Sequence, residues 1–278
     1  MHSAVSRSLA ALNAISLDAP LVAMTWQWAF SDIVGTSLDW WAYVILGGSV
    51  WCIYVLDRAL DVFHARSPAQ AAARHRFARR HLQALLVAGA GGVSIMVAAS
   101  FLVLPVPVLL PWIALSGLVC AYFAWVHWIG PGRMWIPKEF LVALLFAAGS
   151  SFFVVSAAPH RGRALLLPIL GAVLLFFGNA AAISKWESGF DRTSRQSSIA
   201  LDYPRLTGLV RVYLSALALL AIAAVLADLL PWTTGVCIAS SALLLLALDR
   251  FDTTTTLAER RELADLVLLT PLLIRFFC

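Results

Sequence analysis

The chain has 278 residues, of which 61% are hydrophobic and only 13% are charged, and its mean hydropathy is +0.86. Soluble domains contain about 45–50% apolar and about 25% charged residues, so this composition excludes a soluble protein and predicts a polytopic membrane protein. The formal net charge of +5 is typical of the basic cytoplasmic loops of such proteins, and it does not indicate nucleic-acid binding.

Apolar runs long enough to cross a bilayer recur along the whole chain. A helix needs about 20 apolar residues for this, and we expect nine such helices in a single all-α transmembrane domain, residues 1–278. The first and the last two runs are short or interrupted by charge, so eight spans are the alternative. The predicted spans lie near 20–36, 40–63, 82–104, 107–128, 138–158, 163–184, 207–229, 232–248 and 262–278.

Basic residues predict the orientation of these spans. The loops after the second, fourth, sixth and eighth spans carry most of the Arg and Lys, whereas the connection LPVP after the third span carries no charge. Cytoplasmic loops are enriched in Arg and Lys. We therefore expect a multi-pass protein of the cell's inner or plasma membrane, with its N-terminus in the cytoplasm.

Two carboxylates, Asp57 and Asp61, end the second predicted span. Their four-residue spacing places both on one face of a helix. Two like charges at a membrane boundary repel each other and are costly to desolvate, so we expect a cation between them. Trp51 and Tyr54 lie on the turns just before Asp57, where aromatic faces could stabilise a carbocation.

A second acidic pair, Glu187 and Asp191 in NAAAISKWESGFD, ends the sixth predicted span with the same spacing. In the predicted orientation, both pairs reach the cytoplasmic face. Mg²⁺ is commonly held by one or two carboxylates plus substrate phosphates, and Arg side chains neutralise the remaining phosphate charge. A lipid diphosphate suits this arrangement, since its head needs metal and Arg and its tail needs an apolar chamber.

Each of these features also has a purely structural interpretation. The first acidic pair could be a solvated helix end satisfied by Arg58, and the second pair could bond locally to Lys185 and Arg192. Asn179 could hydrogen-bond between helices, as polar residues in membranes do.

Four further aspartates lie in or beside the predicted spans. Asp32 in the first span and Asp265 in the last are secondary candidates for polar contacts between helices. The run Asp249–Asp252 is predicted to stay solvated in its loop.

At these residues the chain resembles a known family. The segment DRALD, from Asp57 to Asp61, followed by Arg66, is similar to the back half of the first aspartate-rich motif of UbiA-type intramembrane prenyltransferases. That motif is NDxxDxxxD, with an Arg five residues after its last Asp. The two opening positions differ, because Ile53 and Tyr54 stand where the family pattern has Asn and Asp.

The second acidic segment strengthens the resemblance. Glu187-x-x-x-Asp191, preceded by Asn179, resembles the second aspartate-rich motif on the sixth helix, although it opens with Glu rather than Asp. Lys138 resembles a basic residue that the family carries at the start of the fifth helix to hold diphosphate. Fewer carboxylates than in the family pattern imply a weaker or single metal site.

The resemblance implies a UbiA-like helical bundle around a central chamber, embedded in the lipid bilayer. It further implies Mg²⁺-dependent transfer of a prenyl group from a polyprenyl diphosphate to an acceptor, which the sequence does not identify. By the same resemblance, the catalytic and metal-binding residues are Asp57, Asp61, Glu187 and Asp191, and the substrate-binding residues are Arg58, Arg66, Lys138, Asn179 and Tyr54.

Three alternative functions stay open at this point. Some members of the family cyclise a prenyl diphosphate without an acceptor. A proton- or ion-coupled transporter would carry acidic residues near mid-membrane and a pair of broken helices. A non-catalytic membrane subunit is favoured by the missing first aspartate at Tyr54.

Overall fold

The computed structural model describes residues 16–64, 80–129, 136–194, 197–250 and 256–275, and these ranges contain helices and no strands. The predicted all-α class is confirmed. The helices are α1 (Asp18–Ile33), α2 (Trp40–His64), α3 (Leu82–Val103), α4 (Val106–Ala124), α5 (Lys138–Ala157), α6 (Gly162–Ser194), α7 (Ile199–Asp202), α8 (Pro204–Gly208), α9 (Val210–Leu226), α10 (Trp232–Arg250), α11 (Leu257–Leu266) and α12 (Thr270–Arg275).

Six helical segments of the described chain are long and apolar enough to cross a membrane: α2 to α6 and α10. Helix α9 is apolar but shorter, and α1 has 16 residues. The molecule is therefore a multi-pass helical membrane protein, while the exact count of nine spans stays a prediction. Helix bounds follow the apolar runs closely, as for Leu82–Val103 against the predicted 82–104.

Two apolar clusters hold the bundle together. The larger one joins α1, α5, α6, α9 and α10, where Trp26 packs edge-on against Phe176 at 5.4 Å. The smaller one joins α1, α2, α4 and α5 around Trp112 and Phe153, whose rings are 5.0 Å apart. By contrast, most of α3 and α4 is apolar and exposed, which suits a surface that faces lipid.

The last predicted span is broken into two helices. Helix α11 ends at Leu266, and a 3₁₀ turn, Val267–Leu269, leads into α12. Pro271 has no N–H to donate to the carbonyl of Val267, so the α-helical hydrogen bonding fails there. Instead, Ser241 Oγ on α10 donates to the Val267 carbonyl at 2.7 Å. A break inside an apolar bundle is tolerated where neighbouring side chains satisfy the freed carbonyls in this way.

Helix direction brings many charged groups to one end of the bundle. Helices α6 and α10 finish there and α5, α9 and α11 begin there, as the hydrogen bonds between their ends show. The start of α1 and the end of α2 join them, because Asp18 acts electrostatically on both Tyr54 and Glu262. We call this the charged end. Its residues include Asp18, Asp57, His127, Lys138, Lys185, Glu187, Arg211, Asp249, Arg261 and Asp265.

Candidate functional site

Asp57, near the C-terminal end of α2, contacts a histidine. Asp57 Oδ1 lies 3.4 Å from His127 Nε2, and the Asp57 side chain is 45% exposed whereas that of His127 is 7% exposed. His127 lies on a π-helical turn that follows α4 and stacks on Phe123 with ring centroids 5.8 Å apart. Such turns in helices frequently occur at functional sites. Sequence reasoning missed this pairing, because 70 residues separate the two side chains.

Asp61 lies in the last turns of α2, but its side chain is outside the described residues. The same holds for Asp191 near the end of α6, and Arg66 lies entirely outside the described ranges. The predicted roles of these three residues therefore stay predictions.

The second acidic helix end is engaged by an arginine from elsewhere in the chain. Glu187 Oε1 accepts a hydrogen bond from Arg261 on α11 at 2.5 Å, and the two side chains are 15% and 25% exposed. Lys185, one of the two local partners considered for this pair, instead donates to Asp249. Glu187 thus has a tertiary partner that its local sequence does not indicate.

Asp249 was expected to be solvated in a loop, and that prediction is wrong. Helix α10 continues to Arg250, so Asp249 lies in its last turn, only 2% exposed. Its carboxylate accepts hydrogen bonds from Lys185 Nζ at 2.7 Å, Trp186 Nε1 at 2.7 Å and Arg211 Nε at 2.5 Å. A buried carboxylate needs partners of this kind, and here they join α6, α9 and α10.

Helix α11 carries two side chains that meet α6. Arg261 and Asp265 are four residues apart and so share one helix face. Arg261 contacts Glu187, while Asp265 Oδ1 accepts a hydrogen bond from Asn179 Nδ2 at 3.3 Å. The predicted interhelical contacts of Asn179 and Asp265 are therefore present, and they dock the charged face of α11 along α6.

Helix α11 also approaches the first acidic motif. The Tyr54 hydroxyl lies within electrostatic reach of the carboxylates of Asp265, Asp18 and Asp57, as well as of Arg58. Tyr54 itself packs against the smaller apolar cluster. Helix α11 therefore contacts the second acidic helix end directly and is coupled to the first one through these charges.

The start of α5 is fixed by a carboxylate that the sequence analysis missed. Glu139 is 6% exposed, and its Oε1 accepts a hydrogen bond from the Ile199 backbone N–H at 2.9 Å. Lys138, the predicted diphosphate ligand, precedes it as the first residue of α5 and is half-buried. Glu139 thereby ties Lys138 to the segment that follows α6.

A further acidic group lies on α11 outside the apolar spans. Burial, together with the charges of Glu259 and Asp18, raises the pKa of the Glu262 carboxyl above its ordinary value.

Comparison with solved structures identifies the architecture. The fold is similar to that in the apo structure of a UbiA homolog from Aeropyrum pernix K1, with a TM-score of 0.65 over 94% of this chain and 98% of that chain. The chain has a UbiA-type fold. At 14% sequence identity the likeness concerns the fold, and no family model and no curated protein matches the sequence. The fold that the two acidic motifs implied is confirmed.

Within this UbiA-type fold, the described residues include no group of three His, Cys, Asp or Glu side chains that could hold a metal ion. Of the four predicted ligands, only Asp57 and Glu187 have described side chains, and Glu187 is engaged by Arg261. The exposed carboxylate of Asp57 suits Mg²⁺ that also binds substrate phosphates, because such sites need only one or two carboxylates.

The opposite end of the bundle holds an apolar cleft of about 220 Å³. Aromatic side chains of α1 line it, together with Asp32 and the starts of α10 and α12. Asp32 is exposed there, remote in the bundle from the charged end.

Proposed function

We propose that the protein binds a polyprenyl diphosphate, with the diphosphate at the charged end, and transfers its prenyl group to an acceptor with the help of Mg²⁺. The observation that carries this proposal is the placement of Asp57 and Glu187. They lie on two different helices at one end of a UbiA-type fold, where Arg261 of α11 contacts Glu187 and the Asp265 carboxylate of α11 acts electrostatically on Tyr54, one turn before Asp57.

The charged end offers both acidic and basic side chains for a diphosphate head group and its metal ion. Asp57 presents an exposed carboxylate, and Arg58, Lys138 and Arg261 supply positive charge. When bound, Mg²⁺ would neutralise charge that develops on the departing diphosphate. The bond between the prenyl carbon and the diphosphate oxygen breaks, and its electron pair leaves with the diphosphate. The acceptor then bonds to the prenyl carbon and releases a proton.

The rest of the bundle suits the isoprenoid tail. Six helices of the described chain are long and apolar enough to cross a membrane, and the exposed apolar faces of α3 and α4 are compatible with a substrate that arrives from the bilayer. Burial of a long hydrocarbon chain among such helices supplies binding energy roughly in proportion to the apolar area removed from water.

Thermal unfolding of the detergent-purified protein tests the proposal. Mg²⁺ with geranyl, farnesyl or geranylgeranyl diphosphate should stabilise the wild type, by about 2.7 kcal/mol when the ligand is at 100 times its Kd. Asp57→Asn should abolish this gain. Asp32→Asn, a matched change at an exposed carboxylate of the opposite end, should leave it intact. No stabilisation of the wild type by any of the three diphosphates would contradict the proposal.

Analysis of products separates transfer from cyclisation. Diphosphate release that yields a cyclic hydrocarbon in the absence of any acceptor would indicate a cyclase of the same fold. Release that requires an added acceptor supports transfer.

Ion-coupled transport is the second candidate, favoured by the break between α11 and α12 next to Asp265. Transporters of this kind use broken helices in pairs. Proton flux into proteoliposomes, lost in Asp265→Asn, would support transport over transfer.

A further inference from the structure

We propose that Arg261 and Arg260 of α11 bind the substrate diphosphate, and that Glu187 holds Arg261 until magnesium and diphosphate arrive. This inference rests on the proposed function and assigns its head-binding cations. The sequence pointed instead to Arg66 and Lys138 for this role.

Arg261 has hydrogen-bonding capacity that the described protein leaves unused. Its Nη1 donates to Glu187, but its Nε is buried and has no hydrogen-bond partner among the described residues. An unmade hydrogen bond on a buried donor is destabilising, and more so on a charged group. A phosphate oxygen would satisfy this donor, because the guanidinium fork matches phosphate in a bidentate geometry.

Arg260 is held beside it on a rigid aromatic platform. Its Cζ lies 5.8 Å from the centroid of the Trp186 ring, and its Nε is also buried without a partner among the described residues. The buried carboxylate of Asp249 fixes the Trp186 indole through a 2.7 Å hydrogen bond. The cation–π contact holds the guanidinium beside the indole, and its N–H groups are the donors that recognise phosphate in other Arg sites.

Both arginines lie close to the N-terminus of α11. Thr256 caps the helix in a reciprocal capping box with Glu259, so Arg260 and Arg261 are its fourth and fifth residues. A diphosphate bound to them would bring negative charge near the N-terminal end of the helix, where the macrodipole favours anions.

The Glu187–Arg261 pair joins a predicted metal ligand to a phosphate ligand. While the two bind each other, the carboxylate is less available to Mg²⁺ and the guanidinium is less available to diphosphate. When both ligands bind, Glu187 gains Mg²⁺ as a partner and Arg261 gains diphosphate. The ion pair can then separate without leaving either charge unpaired. The site therefore binds magnesium and diphosphate cooperatively.

Titration with inorganic diphosphate tests this assignment. Arg261→Gln and Arg260→Gln should each weaken binding of Mg²⁺–diphosphate at least tenfold, which corresponds to about 1.4 kcal/mol. Arg163→Gln, at an exposed position of the opposite end, is the matched control and should bind like wild type. Arg261→Lys should recover only part of the loss, since it keeps the charge without the bidentate fork.

A second variant separates binding from a purely structural role. Glu187→Gln removes the restraint on Arg261, so in EDTA it should bind inorganic diphosphate several-fold more tightly than wild type, while Arg261→Gln binds more weakly. A merely structural ion pair would make the two variants behave alike. Weakened binding in both, unchanged binding in Arg261→Gln, or no diphosphate binding by the wild type would overturn the inference.

Experiments with prenyl diphosphates distinguish a failure of the Arg261 assignment from a failure of the proposed function. If farnesyl diphosphate with Mg²⁺ stabilises the wild type and Arg261→Gln equally, the proposed function survives and the assignment of Arg261 fails. If inorganic diphosphate binds through Arg261 but no prenyl diphosphate stabilises the protein, the anion site survives and the proposed function fails.

Discussion

Replacement of Asp249 by Asn probes the ion cluster that shapes the charged end. The wild-type carboxylate is 2% exposed and receives hydrogen bonds from Lys185, Trp186 and Arg211. Asn is nearly isosteric but carries no charge and offers a single acceptor oxygen. The two cations would lose their counter-charge, and the Trp186 ring would lose a fixed partner.

The contacts set the expected magnitude. Hydrogen bonds to charged groups contribute about 1.5–3 kcal/mol each, and loss of one partner from a buried ion pair costs about 3–5 kcal/mol. Lys185 and Arg211 are 29% and 50% exposed, so water can solvate both after the change. We therefore expect the free energy of unfolding to fall by about 2–3 kcal/mol, toward the lower part of these ranges.

Denaturant unfolding in detergent micelles, followed by tryptophan fluorescence, measures this difference. Asp228→Asn is the control, because Asp228 is exposed at the opposite end and its positive φ of 53° also suits Asn. A double variant with Lys185→Met should show a coupling energy of about 1 kcal/mol or more. A loss below about 0.5 kcal/mol in Asp249→Asn, the range of ordinary surface changes, would refute the reasoning.

Two further changes test the structure near the site and at the broken helix. Tyr54→Asp should lower stability by about 2 kcal/mol without metal, because it removes packing and adds a carboxylate near three others. Thermal unfolding should show a larger gain from Mg²⁺ than in wild type; an equal gain in the Tyr54→Asn control would contradict a metal effect. Ser241→Ala should cost about 1–3 kcal/mol, since the carbonyl of Val267 loses its donor. Ser240→Ala, whose hydroxyl bonds only within its own helix, should change unfolding far less, and equal losses would refute this account of the break.

Hydropathy predicted the bounds of the long helices well, because a membrane span is determined by the composition of its own residues. Predicted and observed bounds of α2, 40–63 against Trp40–His64, differ by one residue. The last span was less predictable. Pro271 marks the break, but the partners that make it tolerable, Ser241 and Trp26, come from other helices.

The candidate site was predictable in its acidic residues but not in their partners. The four-residue spacing of Asp57 and Asp61 is visible in sequence, whereas the pairing of Asp57 with His127 depends on how α2 and α4 pack. Arg261 precedes the last predicted span, 262–278, and its contact with Glu187 across 74 residues also depends on helix packing. Asp249 follows an apolar run, so the sequence predicted a loop residue. Its burial could not be predicted, because its three donors lie on other helices, α6 and α9.

The most direct test of the account is a structure with Mg²⁺ and farnesyl thiolodiphosphate, an analogue that resists ionisation. The account predicts the diphosphate at the charged end, between Asp57 on α2 and Glu187 on α6 and beside the arginines of α11. A diphosphate in the apolar cleft at the opposite end, or a tail on the outer surface of the bundle, would contradict it.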